Sequence, residues 1–171
     1  NDYLGLASDP RVADALSAAA RRGGTGAGAA RLISGNHPLH EELEEAIAGF
    51  KRSEGAVLFA SGFVANTGVI PALTGEGDIV YSDALNHASV VDGCRLSRAE
   101  VRIFPHRDLE ALSRMLEGDR SRSGERWIVV DGVYSMDGDL FPLDGLVELA
   151  AAHGARTYVD DAHGTGVLGA T

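Results

Sequence analysis

The sequence is poor in cysteine and lysine, and it contains no long apolar run. Cys94 is the one cysteine among 171 residues, which excludes an internal disulfide and predicts a reducing compartment such as the cytoplasm. Its position in a predicted helix favours an inert side chain packed in the core. No apolar stretch approaches the length of a membrane span, so we expect no membrane partner.

Positive charge is scarce as well. The chain has 15 lysines and arginines against 25 aspartates and glutamates, and the formal net charge of −10 argues against a nucleic-acid partner. Lys51 is the one lysine beside 14 arginines, and it lies at the end of a predicted helix, where a cation complements the helix dipole. A catalytic amine must be desolvated or otherwise activated, so we do not expect Lys51 to act as a nucleophile.

The sequence does contain a regular alternation of short apolar strands and helical patterns. Helices are predicted over 10–22, 38–50, 63–73, 87–97, 108–117 and 143–153, and strands over 56–60, 78–82, 101–104, 127–131 and 156–160. Pro71 should kink or end its helix. The alternation predicts an α/β fold of three layers, in which a mostly parallel sheet lies between two layers of helices.

Polar residues follow four of the predicted strands, at the point where each strand ends. These pairs are Ser61-Gly62, Ser82-Asp83, Asp131-Gly132 and Asp160-Asp161. Ligands of such sheets bind beyond the carboxyl ends of the strands, so the four ends predict one shared site.

A dinucleotide site and a zinc site are two chemistries that fit the sequence poorly. The glycine-rich segment 23–30 follows a helix rather than a strand and lacks the G-x-G-x-x-G spacing, so we interpret it as a flexible connection. His37 and His40 match neither zinc-protease motif, and we expect them to be solvated residues of a first helical turn.

A calcium loop and a serine-hydrolase site are two further alternatives. Residues 135–139 are acidic but lack the calcium-loop spacing, and an Asp-Gly turn explains them better. The sequence contains no nucleophile elbow of the form G-x-S-x-G. Ser135, His163 and an aspartate could still meet in space, so a hydrolase stays open as a weaker alternative.

Residues at three predicted strand ends and helix starts suit a ligand that combines a phosphate with a positively charged ring. The strand-to-helix junction at Gly62 and Phe63 directs backbone N–H groups at a ligand, which favours a phosphate. His87 lies at a second such junction, where it could stack on a ring. Asp160 ends a predicted buried strand. Burying its carboxylate costs roughly several kcal/mol unless an opposite charge or a hydrogen bond compensates. A protonated pyridoxal-phosphate ring would meet that need, because an aspartate at its ring nitrogen keeps the ring able to accept electrons.

Six motifs in order resemble the α-oxoamine synthases, pyridoxal-phosphate enzymes with the aspartate-aminotransferase fold. They are NDYLGL (1–6), RLISGNHPLHEELE (31–44), SGF (61–63), NHAS (86–89), DGVYSMDGD (131–139) and VDDAHGTGVLG (159–169). The resemblance therefore covers essentially the whole chain. It implies that the chain is the N-terminal part of the large, coenzyme-binding domain of such an enzyme.

The resemblance also implies roles for individual residues. Gly62, Phe63 and Ser135 correspond to coenzyme contacts, and His87 corresponds to the residue that stacks on the ring and helps to position or protonate the reacting group. Asp160 corresponds to the partner of the pyridine nitrogen and His163 to the partner of the phenolic oxygen, and Asn1 to the asparagine near the substrate carboxylate.

The implied activity is a decarboxylative condensation of an amino acid with an acyl thioester. We expect L-alanine and pimeloyl-CoA or its carrier-protein equivalent, which give 8-amino-7-oxononanoate for biotin synthesis, in a homodimer. Glycine with acetyl-CoA is the alternative. The family's Schiff-base lysine has no counterpart in the chain, so we expect this lysine and the C-terminal domain beyond residue 171. A further alternative is that the chain is a lysine-less, non-catalytic partner or fragment.

Overall fold

The computed structural model describes residues 1–169, which divide into two compact units, one from Asn1 to Phe59 and one from Ala60 onward. The first unit is helical. A short 3₁₀ turn, Leu6–Ser8, precedes helix α1, Pro10–Gly23, and a single π-helical turn, Arg31–Gly35, precedes helix α2, Pro38–Lys51. Both predicted helices are confirmed, and segment 24–30 between them has no regular structure.

Side chains cap the beginnings of both helices in the first unit. The Asp9 carboxylate accepts a hydrogen bond from the Arg11 backbone N–H at 2.8 Å, and a proline follows Asp9 at the first helical position. At the start of α2, His37 Nδ1 accepts from the Leu39 N–H at 3.3 Å, while His40 Nδ1 accepts from the His37 N–H at 3.1 Å. The two histidines are therefore half-buried capping residues rather than solvated ones.

The predicted strand over 56–60 is wrong. Within residues 1–169 this segment forms no strand. A strand requires its backbone N–H groups to pair with a neighbouring strand, but the Leu58 N–H donates instead to the Glu44 carboxylate at 2.7 Å. That carboxylate also binds the Arg31 guanidinium at 2.6 Å, so a side-chain cluster replaces strand pairing here.

The second unit contains the α/β fold. Its elements in chain order are α3 (Gly62–Leu73), β1 (Ile79–Asp83), α4 (Ala88–Leu96), β2 (Glu100–Phe104), α5 (Leu109–Gly118), β3 (Arg126–Asp131), α6 (Leu143–His153) and β4 (Arg156–Asp160). The strands form a parallel sheet in the order β2-β1-β3-β4. Each prediction for this unit is confirmed to within one or two residues. Pro71 lies inside α3, which ends two residues later, as a proline near the end of a helix predicts.

Helices cover both faces of the sheet, so the predicted three-layer architecture is confirmed. On one face, α5 and α6 bury an apolar cluster made by Ile79, Tyr81, Phe104, Leu112, Leu116, Ile128, Val130, Leu146 and Ala150 together with Tyr134 and Phe141. On the other face, α3 and α4 bury Ile70, Val80, Val90, Cys94, Trp127 and Val129. The central strands β1 and β3 are buried on both sides, which explains their continuous apolar runs in the sequence.

Helices α3 and α4 approach each other closely at Gly93. A Cβ atom at this position would lie 2.6 Å from the backbone oxygen of Asn66, much closer than van der Waals contact. The absence of a side chain at Gly93 therefore allows the two helices to approach this closely. It also fixes the position of Asn66, which lies in the candidate site.

Candidate active site

Two aspartates lie side by side where β3 and β4 end. Asp131 and Asp160 are paired positions in the register of these strands, so both carboxyl groups are at the carboxyl edge of the sheet. Asp131 is 6% exposed, and its Oδ1 is buried without a hydrogen-bond partner among the described residues. Burial raises the pKa of Asp131 to about 6, and the Asp160 carboxylate adds to the rise.

Neutral groups meet the Asp160 carboxylate. Its Oδ2 accepts a hydrogen bond from Asn66 Nδ2 at 2.7 Å, and its Oδ1 accepts from the Ala162 N–H at 3.0 Å. Neither Asp160 nor Asp131 forms an ion pair with any residue between 1 and 169. The pocket thus contains two adjacent acids, a charge arrangement that a positively charged ligand fits.

The buried Asn66 side chain links Asp160 to the helix that carries His87. Its Nδ2 also donates to Ser89 Oγ at 2.9 Å, and its Oδ1 accepts from the Tyr158 hydroxyl at 2.7 Å. These three partners determine which way the amide points, because only the nitrogen can donate to a carboxylate. Asn66 was not predicted as a site residue.

His87 caps helix α4 through its ring. Its Nδ1 accepts from the Ser89 N–H at 3.2 Å and lies 2.7 Å from Ser89 Oγ, and the His87 backbone N–H donates to Asp131 Oδ2 at 3.2 Å. Since Nδ1 accepts a hydrogen bond, the ring proton resides on Nε2 in the neutral form. Both the capping and the stacking interpretations of His87 are compatible with this position.

Gly62 and Phe63 form the first turn of α3. Ser61 caps this helix, since its Oγ accepts from the Val64 N–H at 3.2 Å, and the N–H groups of the turn have no intrahelical partners. An added Cβ at Gly62 would meet no atom within 4 Å, so the approach to the turn is open. The 12-residue helix thus offers a positive end beside the paired acids.

One pocket of about 90 Å³ brings most of the predicted site residues together. It is lined by Gly62, Phe63, His87, Ser89, Asp131, Val133, Asp160, Ala162 and His163. Of the four polar positions predicted to share one site, Gly62, Asp131 and Asp160 line this pocket, whereas Ser82 and Asp83 line a different one. The small, exposed Ala162 and the half-buried His163 follow Asp160 directly on the pocket wall.

Ser135 lies in an adjoining pocket. This second pocket of about 360 Å³ also contains His87 and Asp131 and extends to Met136 and Asp137. Residues 133–140 form a turn, closed by a bridge between Val133 and Leu140, and Gly138 has a left-handed φ of 74°. The predicted Asp-Gly turn is confirmed.

The hydrolase alternative gains no support from these pockets. Ser135 is exposed in the larger pocket, and His163 lines the smaller one. Within residues 1–169 no group of three or more histidine, cysteine, aspartate or glutamate side chains is arranged to hold a metal ion.

Two other predicted positions lie in the first unit. Asn1 is exposed, and its side-chain amide donates to the Tyr3 hydroxyl at 3.0 Å. Its predicted role near a substrate carboxylate stays a prediction. Lys51 is the exposed last residue of α2, as expected from the sequence.

Comparison with known proteins defines the class to which this arrangement belongs. The model of the family "Aminotransferase class I and II" matches residues 1–171, and the chain belongs to this family. The resemblance to the α-oxoamine synthases is confirmed by its relatives. The chain is 57% identical to the 8-amino-7-oxononanoate synthase of Geotalea daltonii and 53% identical to that of Symbiobacterium thermophilum, each over 169 residues and 99% of the chain. It spans 43% of the length of both relatives.

Solved structures of two serine palmitoyltransferases and one 8-amino-7-oxononanoate synthase share the fold. Serine palmitoyltransferase of Sphingomonas wittichii matches 99% of the chain with a TM-score of 0.94 at 38% identity, and the match covers 42% of that protein. The 8-amino-7-oxononanoate synthase of Francisella tularensis matches 98% of the chain with a TM-score of 0.79 at 29% identity, over 45% of its own length. A serine palmitoyltransferase of S. paucimobilis, solved with PLP and myriocin, matches 92% of the chain with a TM-score of 0.88 at 38% identity, over 41% of its length.

No helix among residues 1–169 combines the length and the apolar character needed to cross a membrane.

Proposed function

We propose that this chain is the coenzyme-binding part of an enzyme that condenses an amino acid with an acyl thioester and releases CO2. The proposed substrates are L-alanine and pimeloyl-CoA or pimeloyl carrier protein, and the product is 8-amino-7-oxononanoate. The names of the relatives at more than 50% identity support this choice. The observation that carries it is the pair of in-register carboxylates, Asp131 and Asp160, in a pocket beside the open first turn of α3.

Pyridoxal phosphate fits the residues present, because it combines a phosphate with a ring that is cationic when its nitrogen is protonated. Bound there, it supplies a ring that takes up the electron pair left when a substrate bond to the α-carbon breaks. The N–H groups at Gly62 and Phe63 would bind its phosphate. Asp160 would keep the ring nitrogen protonated, and the Asn66 amide, which donates to this carboxylate, would hold it in place for that purpose.

The remaining pocket residues hold the ring and the reacting group. His87 would stack on the ring and would position or protonate the reacting group, and Ala162 is small enough to lie under the ring. His163 would donate a hydrogen bond to the phenolic oxygen, and Ser135 would contact the coenzyme from the adjoining turn. Asn1, outside these two pockets, would orient the carboxylate of the amino acid.

The chain is, in this proposal, the N-terminal part of the coenzyme-binding domain. Lys51 is unsuited to bind the coenzyme covalently, because it is exposed at the end of α2. We therefore assign the Schiff-base lysine to a residue outside positions 1–171, in keeping with the greater length of the relatives. A single cysteine that is buried supports a cytoplasmic protein, and the resemblance to the α-oxoamine synthases supports a homodimer.

The test is release of free coenzyme A by the full-length protein that carries this chain. Alanine with pimeloyl-CoA should give the highest rate, compared with glycine and acetyl-CoA in all four combinations. Asp160→Ala should lose nearly all activity, whereas Asp144→Asn, an exposed acid in the first turn of α6, should keep it.

Two results would contradict the proposal. A clear preference for glycine with acetyl-CoA would assign the glycine C-acetyltransferase reaction instead. Absence of coenzyme A release with every pair, from protein that has bound pyridoxal phosphate, would favour a non-catalytic partner.

A further inference from the structure

His106 lies between two carboxylates outside the pocket. Its Nδ1 is 2.9 Å from Asp83 Oδ1, and its Nε2 is 2.9 Å from Asp139 Oδ2. The Asp83 side chain is fully buried, at the carboxyl end of β1, and those of His106 and Asp139 are 22% and 28% exposed. An imidazole therefore bridges two acids that come from different parts of the chain.

This geometry requires a doubly protonated ring. Neutral imidazole has one N–H donor, so one of the two carboxylates would face a nitrogen lone pair. Imidazolium donates to both, and each charge-assisted hydrogen bond is stronger than a neutral one. The two carboxylates accordingly raise the pKa of His106 above its ordinary value despite partial burial, and His106 in turn lowers the pKa of Asp139.

The two acids belong to the segments that carry the predicted site residues. Asp83 begins the loop that leads to His87, and its Oδ1 also accepts from the Leu85 N–H of that loop at 2.8 Å. Asp139 closes the turn that carries Ser135, since the Tyr134 N–H donates to its backbone oxygen at 3.0 Å. His106 thus connects the loop of His87 to the turn of Ser135 without lining either pocket described above.

We propose that His106 is a positioning residue, which as an imidazolium fixes the Ser135 turn to the His87 loop and so sets the width of the coenzyme site. The role of these two segments in coenzyme binding rests on the proposed function. The bridge itself does not, because it is made wholly by residues of this chain.

Tyr134 and Arg107, the other groups around the ring, keep their charge state at alkaline pH. The edge-to-face contact with Tyr134 has a centroid distance of 4.4 Å, and burial raises the pKa of that phenol, so Tyr134 stays neutral. The Arg107 guanidinium shares Asp139 Oδ2 at 2.9 Å, and the Arg107 N–H donates to Asp83 Oδ2 at 2.8 Å. Arg107 keeps its charge over the whole pH range, so among these groups it is His106 whose charge changes at alkaline pH.

The sign follows from the raised pKa. The bridge contributes fully below pH 6.5, the ordinary value for histidine, and is lost as the pH rises through the higher folded-state pKa of His106. Deprotonation of His106 leaves either Asp83 or Asp139 without a hydrogen bond from the ring, so the ring no longer connects the two segments. We expect weaker coenzyme binding on this alkaline limb.

The first test reads the ring directly and needs no coenzyme. In the full-length protein with ¹⁵N-labelled histidine and no coenzyme, NMR should show that His106 keeps both ring nitrogens protonated to a higher pH than an ordinary histidine does. In Asp139→Asn, which removes one negative charge, His106 should lose its proton at a lower pH than in the wild type. Loss of the His106 proton in the wild type at or below the pH of an ordinary histidine would overturn the proposal.

The second test measures coenzyme affinity against pH. His106→Gln keeps one donor and one acceptor but never carries a charge. Below pH 6.5, where His106 is charged, the substitution should weaken pyridoxal-phosphate binding about tenfold, the equivalent of one hydrogen bond to a charged group. It should also remove the alkaline limb. His153→Gln is the matched control, because His153 is also partly buried but lies 3.9 Å from Glu117 at the end of α6.

The outcomes separate this inference from the proposed function. Wild-type protein that binds no pyridoxal phosphate would contradict the proposed function, while the NMR result would still decide the bridge. An unchanged affinity and an unchanged alkaline limb in His106→Gln would overturn the positioning role. Should that variant fail to fold, Asp139→Asn supplies the same comparison, with its alkaline limb expected at lower pH.

Discussion

Asp131→Asn should stabilise the coenzyme-free protein at neutral pH, although it changes a residue of the site. The wild-type carboxyl group is 6% exposed, and its Oδ1 finds no hydrogen-bond partner within residues 1–169. Ionised Asp131 therefore combines the cost of burial with repulsion from Asp160, its neighbour in the sheet register. Asparagine retains an oxygen that can accept from the His87 N–H and carries no charge.

The size of the effect follows from the pKa of Asp131. Its rise from 3.8 to about 6 corresponds to about 3 kcal/mol, at about 1.4 kcal/mol per pH unit. The folded state binds this proton more tightly than the unfolded state, so its stabilising contribution is fully present below pH 3.8. It is lost as the pH rises to 6, and above pH 6 the full cost of about 3 kcal/mol remains.

Urea unfolding of the wild type and of Asp131→Asn between pH 4 and pH 8 measures this cost. The free energy of unfolding of the variant should gain about 2–3 kcal/mol on the wild type between pH 4 and pH 7. Asp144→Asn controls for the loss of one negative charge from the chain. A difference between Asp131→Asn and wild type that stays constant with pH would refute the reasoning, because it would show that Asp131 is not an uncompensated buried acid.

Three further predictions concern the scaffold of the site. Gly93→Ala should destabilise the protein by about 1–3 kcal/mol in urea unfolding, because the new Cβ clashes with the backbone oxygen of Asn66. Gly118→Ala is the control and should be neutral, because a Cβ there meets no atom within 4 Å. Equal effects of the two substitutions would contradict the close approach of α3 and α4. Cys94 should resist thiol reagents at pH 8 until the protein unfolds, because burial raises its pKa to about 11; rapid labelling of folded protein would contradict its placement. Leu112→Ala should lower the free energy of unfolding by about 2–5 kcal/mol, because Leu112 is fully buried between α5 and the sheet. A loss below about 1 kcal/mol would contradict that burial.

The sequence predicts most of the second unit because local and long-range signals agree there. The central strands β1 and β3 are short apolar runs buried on both faces, and each helix of this unit begins at a capping residue or proline. The failed strand over 56–60 has an equally apolar sequence. What decides against it is the Glu44 carboxylate, which takes the Leu58 N–H, and no pattern within the segment reveals a contact made 14 residues away.

The site was predicted in part for a similar reason. Strand ends and helix starts are visible in a sequence, so Gly62, His87 and Asp160 could be assigned to one pocket. The roles of Asn66 and His106 beside the pocket could not be predicted, because an asparagine within a helix and a histidine after a strand have no distinctive spacing. Asp131 was recognised as a polar strand end, but its lack of a partner depends on the register of β3 and β4.

The central claim is that Asp160 holds a protonated coenzyme ring, and NMR of pyridoxal phosphate labelled with ¹⁵N at the ring nitrogen tests it most directly. In the full-length wild-type protein the ring nitrogen should be protonated at pH 8, and in Asp160→Ala it should be unprotonated although the phosphate still binds. A ring nitrogen that is unprotonated in the wild type, or protonated to the same extent in Asp160→Ala, would contradict the account.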